Sequence, residues 1–341
     1  MQKELNVILM NLTERIQAFA TLGNRLANLS QDQHEQLCQH AHAHNNWFTP
    51  QNVQFALSEW ASLLTEQKLS DWTKNHTFGQ AKRIGVVMAG NIPLVGFHDL
   101  LSVLISGHSL VAKLSSKDTI LMKTMIAWLK EIADFDIEIV EQLKNIDAVI
   151  ATGSDNSARY FEYYFGKYPN IIRQHRNSCA VVKGDETAED FLELAKDIFV
   201  YFGLGCRNIS KIYVPQGYKV EQIFDAFARN FADVLSNHKY NNNYEYSCAI
   251  YLINHITYLD NGYLILTENT DLVAPTGVVY YEYYQSEQDL AAKLLVNKDK
   301  IQCVISKIAY YPKSIAFGTS QKPALDDYAD NMDSLAFLAS L

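Results

Sequence analysis

Basic clusters, paired cysteines and long apolar runs are all scarce in this 341-residue chain. No basic run exceeds two residues, and 29 Lys and Arg against 38 Asp and Glu leave a net charge of -9. Electrostatic capture of nucleic acid or of an anionic membrane is therefore not expected as its main business. The longest apolar stretch, Ile92 to Gly107, is interrupted by His98 and Asp99, and no basic segment leads into an apolar one at the amino terminus. Neither a membrane span nor a secretory signal is expected, and the chain is read as cytoplasmic. Its five cysteines are odd in number and lack C-x-x-C spacing, which points to thiols of a reducing compartment rather than a disulfide framework. What is present is ordinary globular material: 48% hydrophobic and 20% charged residues exclude wholesale disorder. The length suits about two domains, or one large α/β domain with an insertion.

Up to about residue 80, apolar residues recur at three and four spacing, as in Leu5, Ile8, Leu9, Leu12, Ile16 and Phe19, which predicts a helical layer. Thr49 before Pro50 starts a further helix through about Lys68. From Arg83 short apolar runs alternate with helical periodicity. Strands are expected at 84–88, 109–113, 137–140 and 148–151, with a helix from Asp118 to about Ile132. A second alternating block begins at Ser178, with strands at 178–182, 210–214, 263–266, 277–283 and 301–305 and helices at 187–202, 220–235 and 287–296. The polar tract Asn237 to Glu245 reads as a surface loop, and the tyrosine clusters at 160–168 and 280–284 as half-buried surface. Strand and helix alternating with short connections predict an α/β fold with parallel sheets of the nucleotide-binding kind.

Four stretches could carry chemistry. Ala89-Gly90-Asn91-Ile92-Pro93 sits at a strand-to-helix turn. There Asn91 can donate to a developing oxyanion at the ligand-binding edge of an open sheet, or simply cap the helix. Phe202-Gly203-Leu204-Gly205-Cys206-Arg207-Asn208 flanks a thiol with glycines, the exposed setting a nucleophilic cysteine needs. Cys179 and Cys303 lie in apolar strand runs and Cys248 among helix residues, where they read as small core hydrophobes. Thr152-Gly153-Ser154 ends a strand at a helix start and could hold a pyrophosphate on backbone amides. Lys113-Leu114-Ser115-Ser116-Lys117 ends another strand; it fits a ribose or phosphate contact and equally an ordinary capped strand end. Cys38, His40, His42 and His44 share helix faces only in pairs, without a third ligand, so no metal is expected.

The order of these pieces resembles the aldehyde dehydrogenase superfamily, and within it the fatty acyl-CoA reductase branch that feeds aldehyde to bacterial luciferase. The resemblance covers about residues 80–341. It implies Asn91 as oxyanion donor, Lys113 on the adenosine ribose with Ser115 and Ser116 beside it, Thr152-Gly153-Ser154 near the pyrophosphate, and Cys206 as nucleophile. The tail from Gly318 to Asp330, with Gln321-Lys322-Pro323 and Asp327-Tyr328-Ala329-Asp330, is similar to a signature of the reductase branch and is the most specific match. The implied domains are a helical layer over residues 1–80, a Rossmann-type cofactor domain over 81–177, a catalytic domain over 178–310 and a tail over 311–341.

Two departures from oxidising members refine the expectation. Those enzymes place a glutamate about thirty residues before the cysteine to activate hydrolytic water, whereas Ile172 to Ser178 contains no carboxylate. Members selective for NAD carry a glutamate three residues after the strand-terminal lysine, where this chain has Ser116 followed by Lys117. The resemblance thus implies NADPH, with NADH as the alternative, and reduction of an acyl thioester, from CoA or a carrier protein, through a Cys206 acyl-enzyme. His175 is the candidate general acid. The expected assembly is a homo-oligomer, dimer or tetramer, with an acyl-activating protein as further partner. The competing readings are an oxidative aldehyde dehydrogenase and a cysteine acyltransferase on the same scaffold.

Overall fold

The amino-terminal helices start where the sequence supplies a capping residue. In the computed structural model, which describes residues 10–153, 155–174, 176–227 and 231–341, Asn11 caps α1 (Leu12–Ala27). It accepts the Glu14 N–H, and Glu14 returns the bond to the Asn11 N–H. Ser30 caps α2 (Gln31–His44) in the same reciprocal way, Thr49 precedes Pro50 at the start of α3 (Pro50–Leu63), and Thr65 caps α4 (Glu66–Thr73). These helices belong to the first of two compact units, residues 1–174 with 324–341; the second is residues 175–323.

The first unit continues with β1 (Arg83–Val87), α5 (Phe97–Ile105), β2 (Ser109–Lys113), α6 (Thr119–Ile132), β3 (Ile137–Ile139), β4 (Ala148–Thr152), α7 (Asp155–Phe165) and β5 (Asn170–Arg173). Its strands pair in the order β3-β2-β1-β4-β5, all parallel. Alternation along the strands feeds two cores. Ile84, Val86, Leu110, Ala112 and Ile150 pack under the helical layer, while Val111, Val149 and Ala151 face Phe161 and Phe165 of α7. Because β2 and β4 flank β1 on opposite sides, the strand order reverses at β1, and the carboxyl ends of these three strands form a topological switch point.

The second unit contains β6 (Asn177–Val181), α8 (Ala188–Phe199), β7 (Ile209–Pro215), α9 (Glu221–Phe227), α10 (His238–Ile253), β8 (Leu259–Asp260), β9 (Ile265–Glu268), β10 (Val278–Tyr284), α11 (Glu287–Val296), β11 (Ile301–Ser306) and β12 (Ile315–Ala316). The sheet order is β12-β11-β6-β7-β10-β9-β8, parallel except for β8 against β9. The chain then returns to the first unit, where α12 (Ser334–Ala339) buries Leu335 and Leu338.

Two expectations are corrected. Asn237–Glu245 is not a loop: Asn237 caps α10 through the Lys239 and Tyr240 amides, and Tyr240, Tyr244, Ser247 and Tyr251 form its buried stripe. The tyrosine clusters match in part: Tyr168, Tyr281 and Tyr283 are half-buried, but Tyr160, Tyr163 and Tyr164 stand in solvent and Tyr280 and Tyr284 are buried. Among the described residues no helix is long and apolar enough to cross a membrane.

Candidate active site

At the switch point of the first unit, the turn leaving β1 lies directly against the turn leaving β2. A Cβ on Gly90 would sit 2.4 Å from the Ser115 Oγ, so only glycine lets the two turns meet. Asn91 follows, half-buried, and Leu94 closes the turn at φ +58 with its N–H donated to an Asp118 carboxyl oxygen at 2.7 Å. The Met88 N–H bonds the Lys113 carbonyl at 3.0 Å, and the Lys113 side chain, like Ser116 and Lys117, is exposed. The Ser115 carbonyl accepts from the Asp118 N–H and the Thr119 hydroxyl, and its Oγ from the Lys117 N–H.

His44, weighed in the sequence only as a metal ligand, and Asn45, not singled out there, hold this stretch from outside. His44 Nε2 lies 2.7 Å from the Ser116 carbonyl, and Asn45 Nδ2 donates to the Lys117 carbonyl at 3.1 Å. The contact to a carbonyl requires the proton on Nε2 of His44. Cys38, considered with this histidine series, instead approaches the His34 ring and the Pro50 carbonyl. Among the described residues no group of three His, Cys, Asp or Glu side chains could hold a metal ion.

Thr152 ends β4 beside Arg173 at the end of β5, and the N–H of the following Gly153 bonds the Arg173 carbonyl at 3.3 Å. The Arg173 guanidinium is buried. It donates from Nη1 to both Asp99 oxygens, at 2.7 and 2.8 Å, from Nη2 to the Ser334 hydroxyl at 2.7 Å, and reaches the Thr152 hydroxyl at 3.5 Å. Removing one partner of such a pair leaves an uncompensated buried charge and costs about 3–5 kcal/mol. Ser154 and His175 lie outside the described residues.

Cys206 belongs to the second unit, on a loop wound unusually tightly between α8 and β7. Tyr201, Phe202 and Gly203 follow one another at φ +58, +58 and +77, and the two non-glycine residues there each cost about 1–3 kcal/mol. The buried Asn208 side chain restrains the loop. Its Nδ2 donates among the carbonyls of Val200 (2.7 Å), Asp197 (3.0 Å) and Ile198 (3.3 Å), and its Oδ1 accepts the Gly205 N–H at 2.8 Å. The Asn208 N–H holds the Gly205 carbonyl at 3.1 Å. The Gly205–Cys206 peptide plane is thereby fixed, with the Cys206 N–H pointing opposite to that carbonyl. Cys206 itself is half-buried.

Ser178 anchors the other side of the loop. The sheet register slips on both of its flanks, between Ser178 and Cys179 against β7 and between Ile301 and Val304 against β11. Such bulges re-aim side chains. Here they turn the Ser178 hydroxyl to the Cys206 carbonyl (3.0 Å), with the Cys303 N–H (3.2 Å) and the Cys303 sulfur (3.0 Å) on the same oxygen. Cys303 is therefore not the core hydrophobe its apolar run suggests, but a half-buried thiol beside the Cys206 loop. Burial pushes its pKa up to about 11 against the pull of Arg207. Cys248 is also only half-buried, its thiol raised chiefly by burial, whereas Cys179 is fully buried. Asp197, buried on α8, accepts the Gly318 and Ser320 N–H groups and the Ser320 hydroxyl, tying the tail to the helix that feeds the loop. Burial pushes its carboxyl up to about 6, and the bonds from Ser320 and Gly318 oppose that rise.

The fold is that of aldehyde dehydrogenases. Aldehyde dehydrogenase 21 from Physcomitrella patens, solved with the reaction product succinate, superposes with a TM-score of 0.72 at 11% identity over 97% of this chain and 84% of its own. A Mycobacterium tuberculosis aldehyde dehydrogenase complexed with NAD+ gives 0.66 at 14% identity over 89% and 75%, and an E. coli NADP dependent enzyme gives 0.65 at 12% over 87% and 73%. No curated protein sequence matches the chain. The family profile described as acyl-CoA reductase (LuxC), however, matches residues 24–240, which span the Asn91 turn, the Lys113 stretch, the Thr152 turn and the Cys206 loop. An aldehyde dehydrogenase fold that carries this family's sequence over more than half its length leaves one assignment: the chain is an oxidoreductase belonging to the acyl-CoA reductase (LuxC) family.

Proposed function

We propose that the protein reduces an acyl thioester, a fatty acyl-CoA or its carrier-protein equivalent, to the aldehyde with NADPH. The observation that carries this reading is Cys206 on a glycine turn held by Asn208 and Ser178, in a chain of this family whose stretch Ile172 to Ser178 has no carboxylate to activate water. The Cys206 thiolate attacks the thioester carbonyl, its S–C bond forms, and the C–S bond to CoA breaks as the thiolate leaves. Asn91 and the Cys206 N–H are assigned to the oxyanion. The acyl group then rests on Cys206 as a thioester.

The first unit's sheet edge fits a phosphorylated dinucleotide chemically. Lys113, Ser116 and Lys117 are exposed on it beside Ser115, Thr152 and Gly153, and the adjacent Asp118 carboxyl is buried and turned to Leu94 rather than outward. Lys113, Ser115, Ser116, Thr152, Gly153 and Ser154 are assigned to the cofactor, with Lys117 near a 2′-phosphate. Bound NADPH would supply a hydride to the acyl carbonyl. Cys206 then releases the aldehyde as its thiohemiacetal collapses and its thiol is restored, and His175 is the assigned proton donor. The test is stoichiometry across a saturated acyl-CoA series from acetyl to hexadecanoyl: loss of NADPH matched one to one by aldehyde and free CoA. Fatty acid in place of aldehyde would overturn the proposal, as would acyl transfer without NADPH loss.

A further inference from the structure

Asp118 stands at the amino terminus of α6, yet its side chain makes no bond to that helix. A carboxylate at this position ordinarily accepts the amides of the first turn. Here it reaches instead to the Leu94 N–H, 24 residues earlier in the chain, at 2.7 Å. Asp118 is 1% exposed, and among the described residues its second carboxyl oxygen has no hydrogen-bond partner. A buried acid left half-satisfied in this way is costly, and it needs a reason in the structure.

The reason lies in what Asp118 touches. Leu94 is a buried leucine held at φ +58, a conformation that side chains with a Cβ rarely adopt. The Asp118 bond fixes it. At the other end of the same turn, a Cβ on Gly90 would come within 3.3 Å of the Asp118 Cβ, so the acid lies against Gly90 as well. Both ends of the five-residue turn Gly90–Leu94 therefore rest on one side chain, and Asn91 is the second residue of that turn. Between them, Pro93 has no N–H to offer.

We infer that Asp118 is a positioning residue: its buried carboxyl holds the Gly90–Leu94 turn in the shape that presents Asn91 to the acyl carbonyl. This rests on the reading of Asn91 as an oxyanion donor. Asp118 touches neither substrate nor cofactor in this role. It sits between the turn of Asn91 and the cofactor stretch Ser115–Lys117, so the two share one support.

The experiment is single-turnover acylation of Cys206 by the acyl-CoA series, followed by intact-protein mass spectrometry, on the full-length chain. Asp118→Leu keeps the branched shape, with bulkier methyl groups in place of the oxygens, and removes the acceptor. Acylation should slow on the order of 100-fold with the half-saturating acyl-CoA concentration unchanged, as expected for a donor displaced by about an ångström. Asp118→Asn keeps an oxygen for the Leu94 N–H and should stay within about 3-fold of the natural protein. The pair Asn91→Ala and Asp118→Leu should be no slower than Asn91→Ala alone, because both remove one function. Asp118→Ala gives the same comparison should the leucine variant not fold. Natural rates in Asp118→Leu and Asp118→Ala, a loss not rescued by Asp118→Asn, or losses that multiply in the double variant would overturn the inference. Natural acylation in Asn91→Ala would instead refute the oxyanion assignment, and the inference with it.

Discussion

Asn208→Ala should show what holds the Cys206 loop in place. The side chain has two donor hydrogens and one carbonyl oxygen, so it makes three good bonds at a time among its four contacts. At about 1 kcal/mol each, their loss costs about 3 kcal/mol, and the buried Gly205 N–H is left without the acceptor it now has. For a unit of this size that lowers Tm by roughly 6–12 °C. The larger effect should be local. Tyr201 and Phe202 are held in left-handed conformations, and without Asn208 that strain is relieved by unwinding the loop rather than the sheet. Thiol labelling should therefore change more than global unfolding does. Differential scanning calorimetry gives the first quantity, and the rate of iodoacetamide modification at Cys206, read by peptide mass spectrometry, gives the second. A Tm within 2 °C of the natural protein together with an unchanged labelling rate would refute this view of the loop.

Cys206→Ala should abolish both the acyl adduct and aldehyde formation, while Cys179→Ala and Cys303→Ser keep acylation; a thioester-labile adduct surviving on Cys206→Ala would contradict the assignment. Ser116→Glu should weaken NADPH selectively over NADH through repulsion of the 2′-phosphate, a difference read by fluorescence titration, and a strong NADH preference in the natural protein would count against the cofactor reading. Asp118 has a folded pKa pushed up to about 8 by burial, against about 3.9 when unfolded, so the stability it contributes is fully present below about pH 4 and is lost as pH rises through 8. Between pH 5 and 7 the unfolding free energy of Asp118→Asn should therefore gain on that of the natural protein by about 1.4 kcal/mol per pH unit, and parallel stability curves would show that Asp118 is ionised when folded.

The alternating architecture was legible because several of the parallel strands are short apolar runs closed by a glycine or polar turn, as at Ile84–Met88 and Ala148–Ala151. The stretches at Gly90, Lys113 and Thr152 were legible for the same reason, since each falls where one of those runs ends. The misreadings have particular causes. In α10 the asparagine run hides a tyrosine stripe at helical spacing. The strand β5 is absent from the sequence reading, because it is short and ends in the charged Arg173, whose partner Asp99 lies 74 residues away. Ser178 reads as an ordinary strand residue, because a register slip is a property of paired strands and not of one segment. Asn208 gave the nearest thing to a local signal, a small amide closing a glycine turn before an apolar strand. Asp118 gave the opposite one, resembling a helix cap that it does not form.

The most direct test of the proposed chemistry is the fate of acyl-enzyme made without cofactor. Protein acylated by acyl-CoA and freed of excess reagent should carry one acyl group on Cys206. With no carboxylate between Ile172 and Ser178 to activate water, that mass should persist, should fall as aldehyde on adding NADPH, and should fall as acyl-CoA on adding CoA. Rapid release of fatty acid in the absence of NADPH would contradict the reductive reading and favour the oxidative one.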